Sequence, residues 1–590
     1  MNKVCSAAVL SFPTMNGDPQ VSYRFGQFLL VARDKRLMRN GCAIPLKPKV
    51  FQTLLLMVRN PGHLIEKEQF FEQLWPDSFV QEVALAQNIS QLRKALSADS
   101  DVNIETVPRL GYRLLAQVET VTEEPTPTSP AIIAVLPFEM IGCQSELEYL
   151  ADGLTEELIA ALGQVDPAHL HVIGRTSVMS YKRSLKSLSE IGRELGAAFL
   201  LESSMRIESE RVRVTSKLIR SEDQVQSWSS SYDAEPSSML SFQRQLSAAI
   251  AEQIRLSLSA ERLDLLKRRQ TKNPQAYDAY LRGRYYWNHF TPATTRRAVE
   301  CFAQATGLDP NYALAWTGIA DASSSAPIHA DACPEEFWKK AEMAIRRAVA
   351  SEPELPETQT SVGILKFWLD WDWQAAEAAY RNAIRLDPSY SLAHRMLGIL
   401  LACKREDAEA RAEMTRARTL DPLDAMHHAL SAQVAFFTRD YSGAIDHARQ
   451  SIITLSNFWI GYYQMGQAYE QQGDYPRALD VLRKAEDFGS GNSKVISLRA
   501  YVLAKSGQTE QALAAVDKMQ KLSEERYFPP YAIALVHAGM GDADLAFKLL
   551  EQALECHDVH LALLPADPKW DSFRSDVRFL RLLEGSGLPH

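Results

Sequence analysis

The chain is short of the features that most simply betray a chemistry. Its seven cysteines, at positions 5, 42, 143, 301, 333, 403 and 556, are odd in number, scattered and free of any C-x-x-C motif. They support neither a disulfide framework nor a zinc site, so reduced thiols in a cytoplasm are expected. No apolar run approaches the roughly 18 residues that span a bilayer. Val4 to Phe12, after Lys3, imitates a secretory leader but is short, so we expect no membrane partner. Neither G-x-G-x-x-G nor G-x-x-x-x-G-K-[ST] occurs, and no Ser/His/Asp set is recognisable. The thirteen histidines are dispersed, and the adjacent His427 and His428 must point different ways on one helix. The expectation is no catalytic residue, no metal and no cofactor. An excess of one charge is also missing: 64 Lys and Arg face 73 Asp and Glu, a net charge of −9, which argues against wholesale coating of nucleic acid.

What is present is a soluble-protein composition, 46% hydrophobic and 23% charged, in a chain of 590 residues that is too long for one core. Charge is uneven. Residues 21–118 hold 13 Lys and Arg against 9 Asp and Glu, a local balance of +4 on an acidic chain, as expected if only this segment meets phosphates. Tyr23 to Val31 alternates apolar and polar residues, and Asn40-Gly41 supplies a hairpin turn before Ile44 to Leu46, which predicts a small antiparallel sheet. Pro48 opens a helix carrying Phe51, Leu54, Leu55 and Val58 on one face. A second helix holds Phe70, Phe71, Leu74 and Trp75.

In the third helix Leu85, Ile89, Leu92 and Leu96 form the buried stripe, with Gln87, Asn88, Gln91 and Lys94 on other faces and Ser90 and Arg93 at the flank. Amides and cations on an exposed helix suit base edges and phosphates, although any surface helix has a polar face. The hairpin Ile104 to Leu115 adds Arg109 at a tip and Arg113 on the returning strand. WP-D at 75–77, ISQLRKAL at 89–96 and TVPRLGYRL at 106–114 together resemble the OmpR/PhoB-type winged helix, in order and with its usual gaps. The resemblance covers about 95 residues. It implies a recognition helix of about Glu82 to Leu96 and a wing bearing Arg109. Residues Gln87, Asn88, Gln91, Arg93 and Lys94 would face the major groove or its phosphates. The helix is amide-rich and arginine-poor for the family, which suggests sites containing adenine.

Residues 119–130 include Glu-Glu-Pro-Thr-Pro-Thr-Ser-Pro and read as a semi-stiff linker. Residues 131–260 predict the order β-α-β-α-β-β-β-α, a compact α/β domain closed by a helix from Met239 to Leu258. IAVLPF, LADGLTEELIAAL, VIGRTSV, IGRELGAAFLLESSMR and WSSSYD resemble the TolB-like (FlgO-like) domain, from which no catalytic set carries over. Gly174, Arg175, Thr176 and Ser177 follow a strand and could cradle an anion with backbone amides and the guanidinium; the alternative is a structural turn. Asp152, Glu156 and Glu157 could be paired carboxylates for acid–base work, but they read better as decoration of a helix's first turn.

Residues 274–560 are an internal repeat. Ala376, Ala410, Ala444, Ala478, Ala512 and Ala546 fall at a uniform step of 34, with upstream copies at Ala298 and Ala341. The pattern resembles tetratricopeptide repeats, about seven or eight helix pairs, which implies an all-α solenoid whose concave face holds a protein or peptide partner; a spacer or self-association surface is the alternative. Trp368, Trp371 and Trp373 are expected to pack rather than to cage a ligand, as is the aromatic knot from Asn457 to Tyr463. Residues 561–590 are expected to cap the last pair.

The expected architecture is therefore multidomain: an α+β winged helix, an α/β TolB-like domain and an all-α tetratricopeptide solenoid. The arrangement resembles ToxR/CadC-type one-component regulators without a membrane helix, and HilA-like activators with repeats. It implies a cytoplasmic regulator that binds double-stranded DNA, by analogy as a homodimer on repeated half-sites. Alternatives are an interaction scaffold with vestigial DNA binding, or a middle domain that handles a nucleotide or small molecule.

Overall fold

A computed structural model describes residues 21–31, 36–39, 42–44, 46–75, 82–97, 102–122, 130–142, 147–164, 166, 169–208, 211–234, 249–250, 271–289, 292–329, 331–489, 491–585 and 587. It divides into two compact units, residues 1–128 and 129–590.

In the first unit, strands β1 (Val21–Phe25), β2 (Phe28–Val31), β3 (Arg36–Arg39) and β4 (Cys42–Ile44) form an antiparallel meander. The Asn40-Gly41 turn lies outside the described residues. Three helices follow: α1 (Pro48–Arg59), α2 (Lys67–Leu74) after the short strand β5 (Leu64–Glu66), and α3 (Glu82–Leu96). Strands β6 (Asn103–Val107) and β7 (Gly111–Leu115) make the hairpin, and β5 joins it on β7. Gly111 is required there, because a Cβ would stand 2.0 Å from the Ile65 carbonyl oxygen. The core is a single cluster in which Phe51, Leu54, Phe70, Leu85, Ile89, Leu92 and Leu96 interdigitate. Strand β8 (Val118–Thr122) closes on β1, with Glu119 opposite Arg24 and Val121 opposite Ser22. The first four residues of the expected linker are thus sheet.

The second unit begins with a mixed sheet of strands β9 (Ala131–Val135), β10 (Glu139–Ile141), β11 (Leu170–Val172), β12 (Phe199–Glu208), β13 (Arg211–Arg220) and β14 (Gln226–Ala234). The order is β11-β9-β12-β13-β14, parallel across the first three and antiparallel across the last three, with β10 parallel to β12. Helices α4 (Glu148–Gly163), α5 (Arg175–Met179) and α6 (Leu188–Leu195) lie between the strands in sequence. The strand order matches expectation apart from the added β10 and the one-and-a-half turns of α5. The expected closing helix lies outside the described residues except 249–250.

Among the described residues eight helix pairs follow, from α7 (Pro274–Trp287) with α8 (Pro292–Leu308) to the last pair, Pro530–Met540 with Ala543–Glu555. All eight repeat alanines, from Ala298 to Ala546, are fully buried. A methyl group is the largest side chain that lets two helix backbones approach this closely at every pair. The array winds until distant pairs meet. Ser493 donates from its backbone and hydroxyl to the Asp331 carboxylate at 2.9 and 2.6 Å, and the Asn492 amide donates to the His329 carbonyl at 3.0 Å.

The C-terminal segment does more than cap the last pair. Trp570 is fully buried and donates to the Tyr531 hydroxyl at 2.9 Å, as a cap should. Yet the same segment reaches back to much earlier helices: Lys569 pairs with Asp567 at 2.8 Å and sits over the Phe436 ring, and Arg439 donates to the Ala566 carbonyl at 2.9 Å. His557 stacks on Trp371 with ring centroids 4.0 Å apart. Part of the inner face of the solenoid is therefore covered by the chain itself. The tryptophan cluster packs as expected, with Phe367 edge-on to Trp368 and Trp373.

Candidate nucleic-acid interface

Helix α3 is held by its apolar stripe, and that stripe decides which polar residues are free. Leu85, Ile89, Leu92 and Leu96 are all buried. Asn88 stands three residues after Leu85 and four before Leu92, so it belongs to the same face; it is 8% exposed, and its amide donates to the Thr53 hydroxyl of α1 at 3.0 Å. Thr53 in turn donates to the Lys49 carbonyl at 2.7 Å. The expectation that Asn88 reads bases is corrected: its polar group is spent on joining α3 to α1.

The opposite face is a continuous exposed strip, Val83, Ala86, Gln87, Ser90, Gln91 and Lys94, spaced 3, 1, 3, 1 and 3. Ser90 is therefore central rather than flanking. Val83, 60% exposed, and Ala86 carry no polar group and so give no chemical signal in the sequence. They are the complement of the buried stripe and could have been found from it; small apolar groups on such a face match the thymine methyl. Among the described residues, the side chains of Gln87, Ser90, Gln91 and Lys94 make no internal hydrogen bond or ion pair.

Arg93 is exposed but engaged. Its guanidinium donates to the Ile104 carbonyl at 3.1 and 2.7 Å and to the Thr106 hydroxyl at 2.6 Å, which ties α3 to strand β6 of the wing. Arg113 faces Glu105 across the hairpin at 3.6 Å. Arg109 is at the tip with φ 68°, in the left-handed region, beside the half-exposed Leu110. The Leu110 amide closes the turn on Val107 at 3.1 Å, and its carbonyl accepts from Lys67 at 3.1 Å. The tip is thus fixed to the start of α2 while the Arg109 side chain projects without an internal partner among the described residues. The structure leaves Gln87, Ser90, Gln91, Lys94 and Arg109 as exposed groups, uses Arg93 and Arg113 as braces, and withdraws Asn88.

The candidate anion turn, Gly174 to Ser177, is already filled. The Asp421 carboxylate, from the Asp-Pro that ends a repeat, accepts from the Ser177 backbone amide at 2.7 Å and from the Ser177 hydroxyl. Gly174 donates to the Leu420 carbonyl at 2.6 Å, and a Cβ on it would stand 2.4 Å from the Asp421 carboxylate. Burial pushes the Asp421 carboxyl up, and neighbouring Asp424 adds to this. Arg175 points instead to Glu156 at 3.1 Å, which Arg284 of α7 also clamps and Asn288 approaches at 3.0 Å. Burial opposes ionisation of Glu156, but Arg284 and Arg175 outweigh it and hold the carboxyl below its usual range. The turn is a socket for the repeat array, not an open cradle. The expectation that Asp152 and Glu156 decorate a first turn is also corrected. They lie one and two turns into α4, and Asp152 pairs with Lys182 at 2.6 Å. Nearby, Arg416 reaches His171 at 2.6 Å, and burial followed by this cation pushes the imidazolium down to about 4.

Three parts of the chain match known families. Residues 41–114 match a family model described as "Transcriptional regulatory protein, C terminal", residues 129–251 a model for a HilA/YgeH-like transcriptional regulator's second domain, and residues 372–425 and 429–493 tetratricopeptide repeats. Transcriptional regulator HilA of Salmonella typhimurium is 25% identical over 306 residues, 50% of this chain and 52% of that protein. Transcriptional activator CadC of Escherichia coli is 32% identical over 104 residues, 17% of this chain and 20% of that protein. A "Putative adenylate cyclase 3" of Rhizobium meliloti is 30% identical over 201 residues, 34% of each. The chain thus spans about half of the length of HilA, about a third of the cyclase-named protein and about a fifth of CadC. The solved DNA-binding domain of E. coli CadC is 30% identical, covering 18% of this chain and all of that one, with a TM-score of 0.17. Among the described residues no helix is long and apolar enough to cross a membrane.

Proposed function

We propose that the chain is a sequence-specific, DNA-binding transcriptional regulator of one-component type. It acts in the cytoplasm without catalysing a reaction, and its input enters through the middle domain and the repeats. The observation that carries the reading is the exposed strip Gln87, Ser90, Gln91 and Lys94 on α3, together with the exposed Arg109 at the wing tip. These donors and acceptors lack internal partners among the described residues, on a helix whose other face is fully committed to the core. Exposed amides can pair bidentately with adenine, and the cations can meet phosphates. The matches to HilA, named a transcriptional regulator, and to CadC, named a transcriptional activator, support the same reading. We further propose a protein partner on the repeat array and dimerisation on paired half-sites.

The test is retention of genomic fragments by the full-length protein, followed by a salt titration on an enriched fragment. Affinity is expected to fall steeply with salt, and Lys94→Ala and Arg109→Ala should each reduce the log–log salt slope by about 1. Failure to retain any fragment at low salt ends the regulator reading and leaves a scaffold.

A further inference from the structure

The wound repeat array encloses a chamber of about 460 Å³ that is partly open to solvent. This lies in the size range of metabolite and cofactor sites. Much of the wall is apolar or aromatic, with Ile328, Ile364, Leu392, Met396, Phe437 and Tyr463 among its members. Its edges come from three sources: Thr176 from the middle domain, the repeat helices, and His560 to Lys569 from the C-terminal segment.

The charges in the wall are mostly cancelled within the protein. Arg284 pairs with Glu156, Lys569 with Asp567 at 2.8 Å, and Arg395 approaches Asp424 at 3.5 Å. Asp321 accepts from the Ser361 hydroxyl and lies in the field of Arg284. Among the lysines and arginines of the wall, Lys494 is the exception. Its ammonium donates once, to the Ile328 carbonyl at 2.7 Å, and among the described residues no carboxylate stands within ion-pair distance. Burial lowers it to about 8 against the weaker pull of Asp331 and Asp558, so it is still mainly a cation at neutral pH. The same wall holds unmet donors: Nε1 of Trp368 and Nε of Arg395 are buried without a hydrogen-bond partner among the described residues. A half-buried cation without a paired carboxylate, in a wall that also holds idle donors, costs stability unless an acceptor arrives.

We propose that this chamber is an effector site for a metabolite-sized organic anion, its apolar body against the wall and its acidic group on Lys494. Contact with the C-terminal segment and with Thr176 makes one ligand touch both the array and the domain packed on it. The effector role rests on the regulator reading, but binding itself does not, so each can fail alone.

The test is fluorescence titration of the full-length protein with 8-anilino-1-naphthalenesulfonate and with its neutral parent, N-phenyl-1-naphthylamine. The sulfonate is expected to saturate a single site at least about tenfold more tightly than the neutral amine. Lys494→Met should remove that advantage while leaving the amine unchanged, and Lys494→Arg should restore it. Should Lys494→Met fail to fold, by near-ultraviolet dichroism, the two-dye ratio on the parent and on Lys494→Arg decides. Equal affinity for both dyes, no saturable binding, or sulfonate binding unaffected in a folded Lys494→Met overturns the proposal. Loss of genomic-fragment retention with dye binding intact would instead fault the regulator reading.

Discussion

Helix α3 and the turn at Gly174 both present hydrogen-bond donors suited to anions, and they stand at opposite ends of one scale. The turn has its anion: Asp421 fills it from 244 residues away in sequence. On the exposed strip of α3, among the described residues, Gln87, Gln91 and Lys94 meet nothing. A polar group that is buried in a folded protein is almost always satisfied internally, so satisfaction marks a joint. A polar group that is exposed, unpaired and rigidly presented is the one available to an outside ligand. The difference is one of partners, not of residue type, and it can be broken experimentally at either end.

The largest effect is expected at the filled socket. Asp421→Ala leaves the Ser177 amide and hydroxyl buried without an acceptor, and each lost bond to a charged group is costly. The free energy of local opening at residues 170–179, read by hydrogen exchange on the full chain, should fall by about 3 kcal/mol. Exchange there unchanged from the parent would mean that the turn does not depend on its internal anion.

A smaller effect separates buried charge from buried polarity. Asp321 is pushed up to about 6 by burial, with the Ser361 hydroxyl only partly offsetting this. Its folded-state value is raised above the unfolded one, so the native state holds the proton more tightly. The charge therefore costs nothing below about pH 4, and the penalty grows as pH rises toward 6 and is complete above it. Asp321→Asn keeps an acceptor for Ser361 and removes the charge. It should stabilise the array by on the order of 2 kcal/mol at pH 7.5 and by almost nothing at pH 4. Thermal unfolding of parent and variant at both values checks this, and a gain independent of pH would contradict it.

The same scale explains what could be read from the sequence. The step of 34 between alanines names a packing constraint repeated at every pair, and all eight alanines are buried. The wing was legible because its motif is local: the Leu110 amide closes the turn on the Val107 carbonyl three residues before it. The polar residues of α3 were harder. Residue type suggested Asn88, whereas its position within the Leu85–Leu92 stripe predicts burial; periodicity outranks chemistry on a helix whose core face is fixed. The joints of the second unit had no local signal at all. Nothing near Gly174 points to Asp421, and nothing in the C-terminal segment announces Phe436 or Trp371 as its neighbours. Long-range pairing depends on how the array winds, which is the sum of many small packing angles rather than a property of any one repeat.

The finest test lies within α3 itself, between two amides three residues apart. Asn88 joins α3 to Thr53 and is buried, whereas Gln91 is exposed and unpaired among the described residues. Asn88→Ala should leave the Thr53 hydroxyl with one partner fewer and destabilise the N-terminal unit by about 1 kcal/mol, with base preference unchanged. Gln91→Ala should keep stability within about 0.5 kcal/mol and alter preference at one base pair by about 1–3 kcal/mol. Urea denaturation gives the first quantity, and competition binding against single-base variants of a retained fragment gives the second. A uniform loss of affinity with Gln91→Ala would assign that amide to the backbone. A changed base preference with Asn88→Ala would show that burial does not withdraw a residue from recognition, because it can still tilt the helix that reads.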